Sequence, residues 1–379
     1  MSGRFWLPLA LVAAAWCHAG AAQAAPAGAA QAAPAGAAQA APAVAFAADC
    51  AATAAEAEKA GALSVAGQEG WLFLTAELRH LGVGPFWGER AAKVSRAATP
   101  GHADPLPAIL DFKQQLDKAG IELLLVPVPA KAVIYPDMLF ARPGAAAARD
   151  AVLPRLDAAD GEFYDVLRKA GVNVLDLTPA FLADRSSIQG PLFCRQDSHW
   201  SGNGCVVAAG QIAQAIKGRP WLKERQRMRL AAEPHAVEIT GDLAPDAGTS
   251  KAPPEKVPLR LVGTRASGRL EPLPDDRASP IVLLGDSSNL VFHSGGDLYA
   301  AGAGLADQLA LELGLALDVV AVRGSGATAA RINLARRALA DPDYLKAKRL
   351  VLWCFAAREF TEADGWRLLP LAHPAPAAK

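Results

Sequence analysis

Two short motifs hold the side chains that could carry out covalent chemistry in this chain of 379 residues. In the first motif, Asp197 precedes His199 by two residues; in the second, Ser287 follows Gly285 and the apolar run 281–284. A hydroxyl, an imidazole and a carboxylate are the three parts of a site in which a base activates a weak nucleophile. The motifs therefore predict Ser287 as nucleophile, His199 as base and Asp197 as the acid that orients the base.

The surroundings of each motif favour this pairing over ordinary structural roles. The run 281–284 is typical of a buried strand, and a serine just after such a strand lies where open α/β sheets place their chemistry. The Asp-x-His spacing puts Asp197 and His199 on the same side of an extended segment. Taken alone, Gly-Asp-Ser is common turn chemistry, and a histidine beside a tryptophan is usually packed. The prediction rests on the two motifs together.

Further residues are candidates for binding the substrate or its developing negative charge. Backbone amides near Gly285, Gly324 and Gly326 could form an oxyanion hole, although a tight turn explains the same glycines. A phosphate loop is disfavoured because no Gly-Lys-Ser/Thr follows. Polar side chains that could hold an anionic sugar, or could simply be solvated, are Arg358, Lys131, Tyr135 and Arg195.

Strands must alternate with helices to position these residues. Near-continuous apolar strands are indicated at 121–128, 281–284, 317–322 and 349–355, with helical patterns between them. This rhythm predicts an α/β domain, over residues 49–379, in which helices cover both faces of a parallel sheet. The proline-rich segment of about 227–280 is predicted to be a small β-rich insertion.

The amino-terminal region is predicted to be an export signal followed by a spacer. Arg4, the apolar run 7–16 and the small residues up to Ala24 fit a signal peptide over 1–24, cleaved after Ala24, although retention as an anchor stays open. The Ala/Pro/Gly repeat that follows predicts a disordered spacer over 25–48.

Charge and cysteine content exclude several classes of function. Lysine plus arginine and aspartate plus glutamate both number 38, so no global charge favours a nucleic-acid partner. In an exported protein the cysteines favour disulfides, and Cys194 with Cys205 is the candidate pair; the alternative is buried free thiols. No Cys-x-x-Cys motif occurs, and we expect neither a metal nor another cofactor.

The order of the motifs resembles one known family. Gly-x-x-Gly-Trp-Leu-Phe at 67–73, Val-Pro-Ala-Lys at 128–131, Cys-Arg-Gln-Asp-Ser-His-Trp at 194–200, Gly-Asp-Ser at 285–287, and Trp353 followed by Arg358 occur as in alginate O-acetyltransferases of the AlgJ/AlgX type. The resemblance covers about residues 60–360 and implies an SGNH-hydrolase-like fold.

The resemblance also implies a function. Ser287 would carry an acetyl group and His199, held by Asp197, would activate a sugar hydroxyl. The setting would be periplasmic acetylation of an alginate-like exopolysaccharide, with a membrane-bound O-acyltransferase as acetyl supplier. Two alternatives stay open: a secreted SGNH-type carbohydrate acetylesterase with the same residues, and a non-catalytic polysaccharide-binding scaffold. The motifs do not identify the polymer.

Overall fold

The computed structural model describes residues 35–141, 153–245, 253–266 and 268–371. In these ranges the strands are β1 (Ser64–Ala66), β2 (Leu72–Leu74), β3 (Glu122–Val128), β4 (Asn173–Val174), β5 (Ala231–Ile239), β6 (Glu255–Ala266), β7 (Arg269–Glu271), β8 (Ile281–Gly285), β9 (Asp318–Ala321) and β10 (Leu350–Ala356). The α-helices are α1 (Ala35–Lys59), α2 (Thr75–Gly82), α3 (Ala91–Val94), α4 (Pro105–Lys118), α5 (Lys131–Ile134), α6 (Pro136–Leu139), α7 (Ala158–Lys169), α8 (Thr178–Asp184), α9 (Gly202–Ile216), α10 (Pro220–Lys223), α11 (Leu305–Leu313), α12 (Ala329–Ala340) and α13 (Glu359–Glu362). Short 3₁₀ helices lie at Gly88–Arg90, Pro100–His102, Ser287–Asn289, Gly296–Leu298 and Tyr344–Ala347.

A five-stranded parallel sheet forms the centre of the fold. Its strand order is β4-β3-β10-β8-β9, and every neighbouring pair is parallel. Four of these strands coincide with the apolar runs that the sequence indicated. Alternate residues of β10 enter different apolar clusters: Leu352 packs on one face of the sheet and Trp353 on the other. Helices α9 and α11 cover the first face, and α4, α7 and α12 cover the second. The predicted α/β architecture is confirmed.

The register of the sheet brings the candidate residues to one edge. Gly285 of β8 pairs with Cys354 of β10, which in turn pairs with Val126 of β3. The carboxyl ends of β3, β8, β9 and β10 therefore lie side by side. Four of the predicted site residues follow one of these strand ends within a few positions: Lys131, Ser287, Gly324 and Arg358.

The predicted β-rich insertion is also confirmed. Strands β5, β6 and β7 form a three-stranded antiparallel sheet inside the bounds 227–280. Val257 and Leu259 of β6 are buried in the same apolar cluster as α9 and α11. The insertion is thus anchored to the core, close to the segment that carries His199.

The prediction of a disordered spacer up to residue 48 is wrong from residue 35 onward. Helix α1 continues through Pro42, and Phe46 and Cys50 on its inner side are fully buried. Alanine has the highest helix propensity, and the buried face supplies the packing that keeps an alanine-rich helix folded. Gly82 at the end of α2 allows close contact with α1, because a Cβ there would lie 2.6 Å from the Cα of Ala51.

The predicted signal peptide, 1–24, and residues 25–34 of the predicted spacer lie outside the described residues. Among the helices of the described ranges, none combines the length and the apolar character required to cross a membrane.

The predicted Cys194–Cys205 disulfide is wrong in this structure. Both residues are buried free thiols, as are Cys50 and Cys354. The Cys194 thiol donates to the carbonyl of Trp200 over 3.7 Å, and Cys205 packs within the apolar cluster beneath α9. Burial raises the pKa of both thiols above the ordinary value. They behave as small apolar side chains, as the alternative interpretation of the sequence held.

Candidate active site

The structure brings the two predicted motifs together. His199 Nε2 lies 2.8 Å from Ser287 Oγ, and His199 Nδ1 lies 2.7 Å from Asp197 Oδ1. Asp197 is almost fully buried, while Ser287 is half-buried. An ionised carboxylate can only accept, so the proton of this imidazole lies on Nδ1 and Nε2 accepts the Ser287 hydroxyl. The three side chains form a hydrogen-bonded series that can take up the hydroxyl proton.

Electrostatics support this protonation pattern. Burial of Asp197 opposes its charge, but hydrogen bonds from His199 and Tyr299 outweigh that effect and hold its pKa below the ordinary value. Burial likewise opposes a charge on His199, yet the hydrogen bond and charge of Asp197 raise its pKa above that of a free histidine. The pair favours an imidazole that readily accepts a proton.

A tight turn after β8 presents Ser287. The Asp286 carboxylate caps this turn by accepting the Ser288 amide at 2.9 Å, and it accepts the Ala356 amide of β10 at 2.7 Å. Gly285 allows the close strand contact, since a Cβ there would lie 1.7 Å from the Cys354 carbonyl oxygen. Gly285 was predicted to contribute to an oxyanion hole; the role that the structure shows for it is geometric, because it lets the nucleophile turn lie tightly against β10.

The segment with His199 is fixed to the same turn. Phe193 and Trp200 form an antiparallel bridge that closes this segment into a loop. The Trp200 indole donates to the Ser288 carbonyl over 2.9 Å, and Ser201 caps α9 by accepting the Gly204 amide at 3.2 Å. The tryptophan of the first motif therefore joins the base directly to the nucleophile turn.

Two residues that sequence reasoning missed contact Asp197. The Tyr299 hydroxyl donates to Asp197 Oδ2, and the Asp242 amide donates to the same oxygen over 3.1 Å. The Asp242 carboxylate accepts both the amide and the hydroxyl of Ser198, each at 2.6 Å. Asp242 lies in the β-rich insertion and Tyr299 in a loop after the nucleophile turn. No local sequence pattern links either residue to His199, so only the tertiary structure reveals them.

The 324–326 turn lies beside Ser287. Gly324 has a φ of +82°, which favours glycine, and a Cβ on Gly326 would lie 2.7 Å from the Asp286 amide nitrogen. The Trp353 indole donates to the Gly326 carbonyl over 3.1 Å, which draws that oxygen into the core. The turn is thus held against the nucleophile turn with its backbone close to the site.

Comparison with known proteins agrees with this geometry. A family model described as an SGNH hydrolase-like domain, acetyltransferase AlgX, matches residues 64–357, a span that contains both motifs. The chain belongs to this family. The resemblance that the motif order suggested is therefore confirmed.

Two curated relatives carry the description "Probable alginate O-acetylase AlgJ". The protein of Pseudomonas syringae pv. tomato is 30% identical over 141 residues, which is 37% of this chain and 34% of the relative. The protein of Azotobacter vinelandii is 26% identical over 203 residues, 52% of this chain and 50% of the relative. The chain thus spans between a third and a half of the length of these relatives.

Two solved structures share the fold of the AlgX family. The O-acetyltransferase domain of Pseudomonas putida AlgJ superposes with a TM-score of 0.55 and 23% identity, covering 79% of this chain and 92% of that domain. Pseudomonas aeruginosa AlgX superposes with a TM-score of 0.55 and 19% identity, covering 81% of this chain and 66% of that one. At these identities the likeness supports the fold, which is the SGNH-hydrolase-like fold predicted from the sequence.

Two predicted binding residues of this AlgX-family site are structural instead. Lys131 is buried, and its ammonium donates to the carbonyls of Leu72, Arg195 and Asp197 at 2.6, 2.9 and 3.0 Å. All three of its protons are used, so contact with a substrate is contradicted. The buried Tyr135 hydroxyl donates to the Arg185 carbonyl at 3.0 Å and accepts the Leu192 amide at 2.8 Å.

The two arginines predicted to bind substrate, Arg358 and Arg195, are accessible to solvent. Arg358 precedes α13, just after β10, and is half-buried; it lies near enough to His199 for its charge to oppose the rise in the pKa of that histidine. Arg195 is exposed and lines a cavity of about 500 Å³ together with Gln196, Trp71 and Glu255. The three hydrogen-bonded residues of the site do not line that cavity.

One group of side chains in the described ranges has the spacing of a metal site. The ligand atoms of Asp197, His199 and Asp242 all lie within 4.8 Å of one another. Both oxygens of Asp197 and the Nδ1 of His199 are engaged in hydrogen bonds. The donor set therefore fits a proton relay better than a ligand set, since a metal would have to displace those bonds.

Proposed function

We propose that this chain is a polysaccharide O-acetyltransferase that works through an acetyl group on Ser287. The observation that carries the proposal is the hydrogen-bonded series from Ser287 through His199 to Asp197, at the carboxyl edge of the sheet. Membership of a family described by its acetyltransferase activity supports it.

In the first half-reaction His199 Nε2 takes the proton of the Ser287 hydroxyl as Oγ attacks the carbonyl carbon of an acetyl donor. A tetrahedral oxyanion forms and then collapses, which breaks the bond to the donor's leaving oxygen. His199 returns its proton to that oxygen, and Ser287 keeps the acetyl group. Asp197 stabilises the imidazolium that exists between these two transfers.

In the second half-reaction a sugar hydroxyl takes the place of the leaving group. His199 removes its proton, the sugar oxygen attacks the acetyl-Ser287 carbonyl, and the ester bond to Ser287 breaks. His199 then returns the proton to Ser287 Oγ. The backbone amides of the Ser287 turn and of the 324–326 turn are the proposed oxyanion donors, because the two turns pack against each other.

The proposed acceptor is an alginate-like exopolysaccharide, since the curated relatives are named as alginate O-acetylases. A uronate polymer carries one carboxylate per sugar, and Arg358 is a half-buried cation whose charge acts on His199. A guanidinium binds a carboxylate with two parallel hydrogen bonds, which would position a neighbouring hydroxyl at the acetyl group. Arg195 is proposed to bind another carboxylate of the same polymer, at the cavity that it lines away from Ser287.

The proposed setting is the periplasm, reached by means of a signal peptide cleaved after Ala24. The proposed acetyl supplier is a membrane-bound O-acyltransferase, because a chain that works outside the cytoplasm needs its acetyl groups delivered across the membrane.

The test is acetyl transfer from a chromogenic acetyl ester. We expect a burst of released chromophore and, by mass spectrometry, an acetylated peptide that contains Ser287. The Ser287→Ala variant should lose both, whereas Ser288→Ala, the matched control, should keep both. Labelling that persists in Ser287→Ala would overturn the nucleophile assignment.

Adding mannuronate and guluronate oligomers then separates the classes of function. Acetylated oligomers support the transferase. Release of free acetate with no acetylated sugar would identify an acetylesterase, and binding of oligomers without any burst would identify a scaffold.

A further inference from the structure

Tyr299 lies at a strained position directly behind Asp197. Its backbone has φ 76° and ψ −53°, and the Ala300 amide donates to the Leu298 carbonyl over 3.0 Å. This is a γ-turn of positive φ, a conformation that is rare and costly for a residue with a Cβ. Strained positions persist where the surrounding structure holds them, and they concentrate at functional sites.

The loop that carries Tyr299 is well braced. Ser294 and Ala301 form a bridge across it, and the Ala303 amide donates to the Phe292 carbonyl over 2.8 Å. The ring of Tyr299 packs on that of Phe292, with 5.8 Å between the ring centroids. These contacts fix where the hydroxyl points, and it points at Asp197 Oδ2.

The two oxygens of Asp197 each receive two donors. Oδ1 accepts the ring Nδ1 and the backbone amide of His199, at 2.7 and 2.9 Å. Oδ2 accepts the Asp242 amide and the Tyr299 hydroxyl. Of these four donors, the Tyr299 hydroxyl is the one that comes from a side chain other than His199. With Oδ2 held from behind, the carboxylate cannot rotate away from the imidazole.

We propose that Tyr299 is a positioning residue that orients Asp197, and through it the proton on His199, for attack by Ser287. The inference rests on the proposed function of this site and adds a residue to it. The phenol also shares the negative charge of Asp197, because a donor on Oδ2 weakens the attraction that Oδ1 exerts on the imidazolium.

The phenol remains a donor at every pH at which the protein would work. Burial and the neighbouring Asp197 raise the pKa of Tyr299 above its ordinary value. The other charged groups around the pair are Asp242 in the insertion, Arg358 at the start of α13 and Lys131 in α5. Removing the phenol oxygen leaves these three side chains in place. A change in the pKa of His199 in such a variant therefore reports on the hydrogen bond from Tyr299 to Asp197.

The test is Tyr299→Phe, which deletes one oxygen. We expect kcat to fall about tenfold with KM for the acetyl ester unchanged, since a hydrogen bond to a charged group is lost without loss of substrate contacts. We expect the pKa of His199, measured by NMR of the imidazole nitrogens, to rise, and the acidic limb of the kcat/KM profile to move to higher pH with it.

The matched control is Tyr344→Phe. Its hydroxyl donates to the buried Asp318 over 2.5 Å at the first residue of β9, the opposite end of that strand from the site. This variant should leave kcat and the pKa of His199 unchanged.

A further variant carries 3-fluorotyrosine in place of Tyr299. This residue keeps the ring and the hydroxyl in place but is a stronger hydrogen-bond donor, so the pKa of His199 should fall.

The results separate this inference from the proposed function. An unchanged pKa of His199 and an unchanged kcat in Tyr299→Phe would overturn the positioning role, and so would a fall in kcat with the pKa unaltered, which indicates only a loosened loop. The NMR measurement needs no acetyl transfer. If the wild-type protein gave no Ser287-dependent burst, the proposed function would be rejected. The effect of Tyr299 on the pKa of His199 could still be measured by NMR in that case.

Discussion

In the part of the chain that the structure describes, two hydrogen-bonded series join a hydroxyl, an imidazole and a carboxylate, and they differ in whether their surroundings suit a catalytic site. The serine triad consists of Ser287, His199 and Asp197. The threonine triad consists of Thr361, His80 and Asp160, with 2.9 Å between Thr361 Oγ1 and His80 Nδ1 and 3.0 Å between His80 Nε2 and Asp160 Oδ1. The residue types and distances of the two are nearly the same.

Burial and proton direction separate the two triads. Thr361 has an exposed fraction of 0% and His80 of 2%, and the triad lies among α2, α7 and α13. The Thr361 hydroxyl donates to Glu362 over 2.9 Å, so it can only accept from His80. Both ring nitrogens of His80 are then donors, and the imidazole has no lone pair with which to take a proton. A histidine paired with an aspartate is a base only where its other nitrogen faces a reachable hydroxyl.

The largest expected effect breaks the serine triad at its nucleophile. Ser287→Ala should lower turnover of an acetyl ester by about 10⁴-fold or more, because single deletions in such triads remove most of the catalysis. Thr361→Val, the equivalent change in the threonine triad, should leave the rate per folded molecule unchanged. Stopped-flow kinetics on both variants measure this. Equal losses in the two would show that the comparison is wrong.

Asp197→Asn is the next largest change. It should lower kcat/KM by about 10⁴-fold, as an amide in place of the orienting carboxylate favours the wrong tautomer. Since Asp197 raises the pKa of His199, its removal should also move the acidic limb of the pH–rate profile to lower pH. The direction is opposite to that expected for Tyr299→Phe. A residual rate with an unmoved limb would contradict the assignment of His199 as the base.

In the threonine triad, a substitution should change the stability of the fold and not the rate of acetyl-ester turnover. Burial opposes a charge on His80, but the charge and hydrogen bond of Asp160 outweigh it and raise the pKa. Replacing His80 with alanine should lower the free energy of unfolding by about 3 kcal/mol, because a buried partner loses its counterpart. Urea unfolding measures this, with acetyl-ester turnover as the control.

The contribution of His80 to the free energy of unfolding depends on pH, and the raised pKa of His80 determines the sign of that dependence. The folded state binds the His80 proton more tightly than the unfolded chain, so this contribution is complete below the ordinary histidine pKa and is lost as pH rises through the folded-state value. The difference in stability between the wild type and His80→Ala should therefore shrink with rising pH. A difference that grows with pH would contradict the assigned charge on His80.

The contrast also explains what the sequence could predict. The serine triad was predictable because local patterns place each part: an apolar strand before Ser287, and an Asp-x-His pair on an extended segment. The parallel sheet was predictable for the same reason, since buried strands such as β8 and β10 are continuous apolar runs. Local pattern sufficed wherever one element determined the position of one residue.

Contacts between distant segments could not be predicted in this way. The Tyr299 hydroxyl reaches Asp197 from a separate loop, and Asp242 does so from the insertion. Lys131 was expected to meet the substrate, yet it satisfies three buried carbonyls, a role that depends on how β2 and the His199 segment pack. Helix α1 was missed because the burial of Phe46 by the rest of the fold outweighs the helix-breaking effect of Pro42.

The smallest expected effect concerns the cation beside the serine triad. Arg358→Gln should raise KM for uronate oligomers about tenfold while leaving KM for a neutral acetyl ester unchanged, because one charge-assisted contact is lost from the polymer alone. The charge of Arg358 opposes protonation of His199, so its loss should also raise the pKa of that histidine and move the acidic limb of the kcat/KM profile to slightly higher pH.

The control is Arg358→Lys, which restores the charge and should therefore restore the position of the acidic limb. It should recover the KM for oligomers only in part, because an ammonium cannot reproduce the bidentate contact of a guanidinium. Steady-state kinetics with both substrates separate the two effects: a rise in KM for the neutral ester as well would place Arg358 at the acetyl group and not at the polymer.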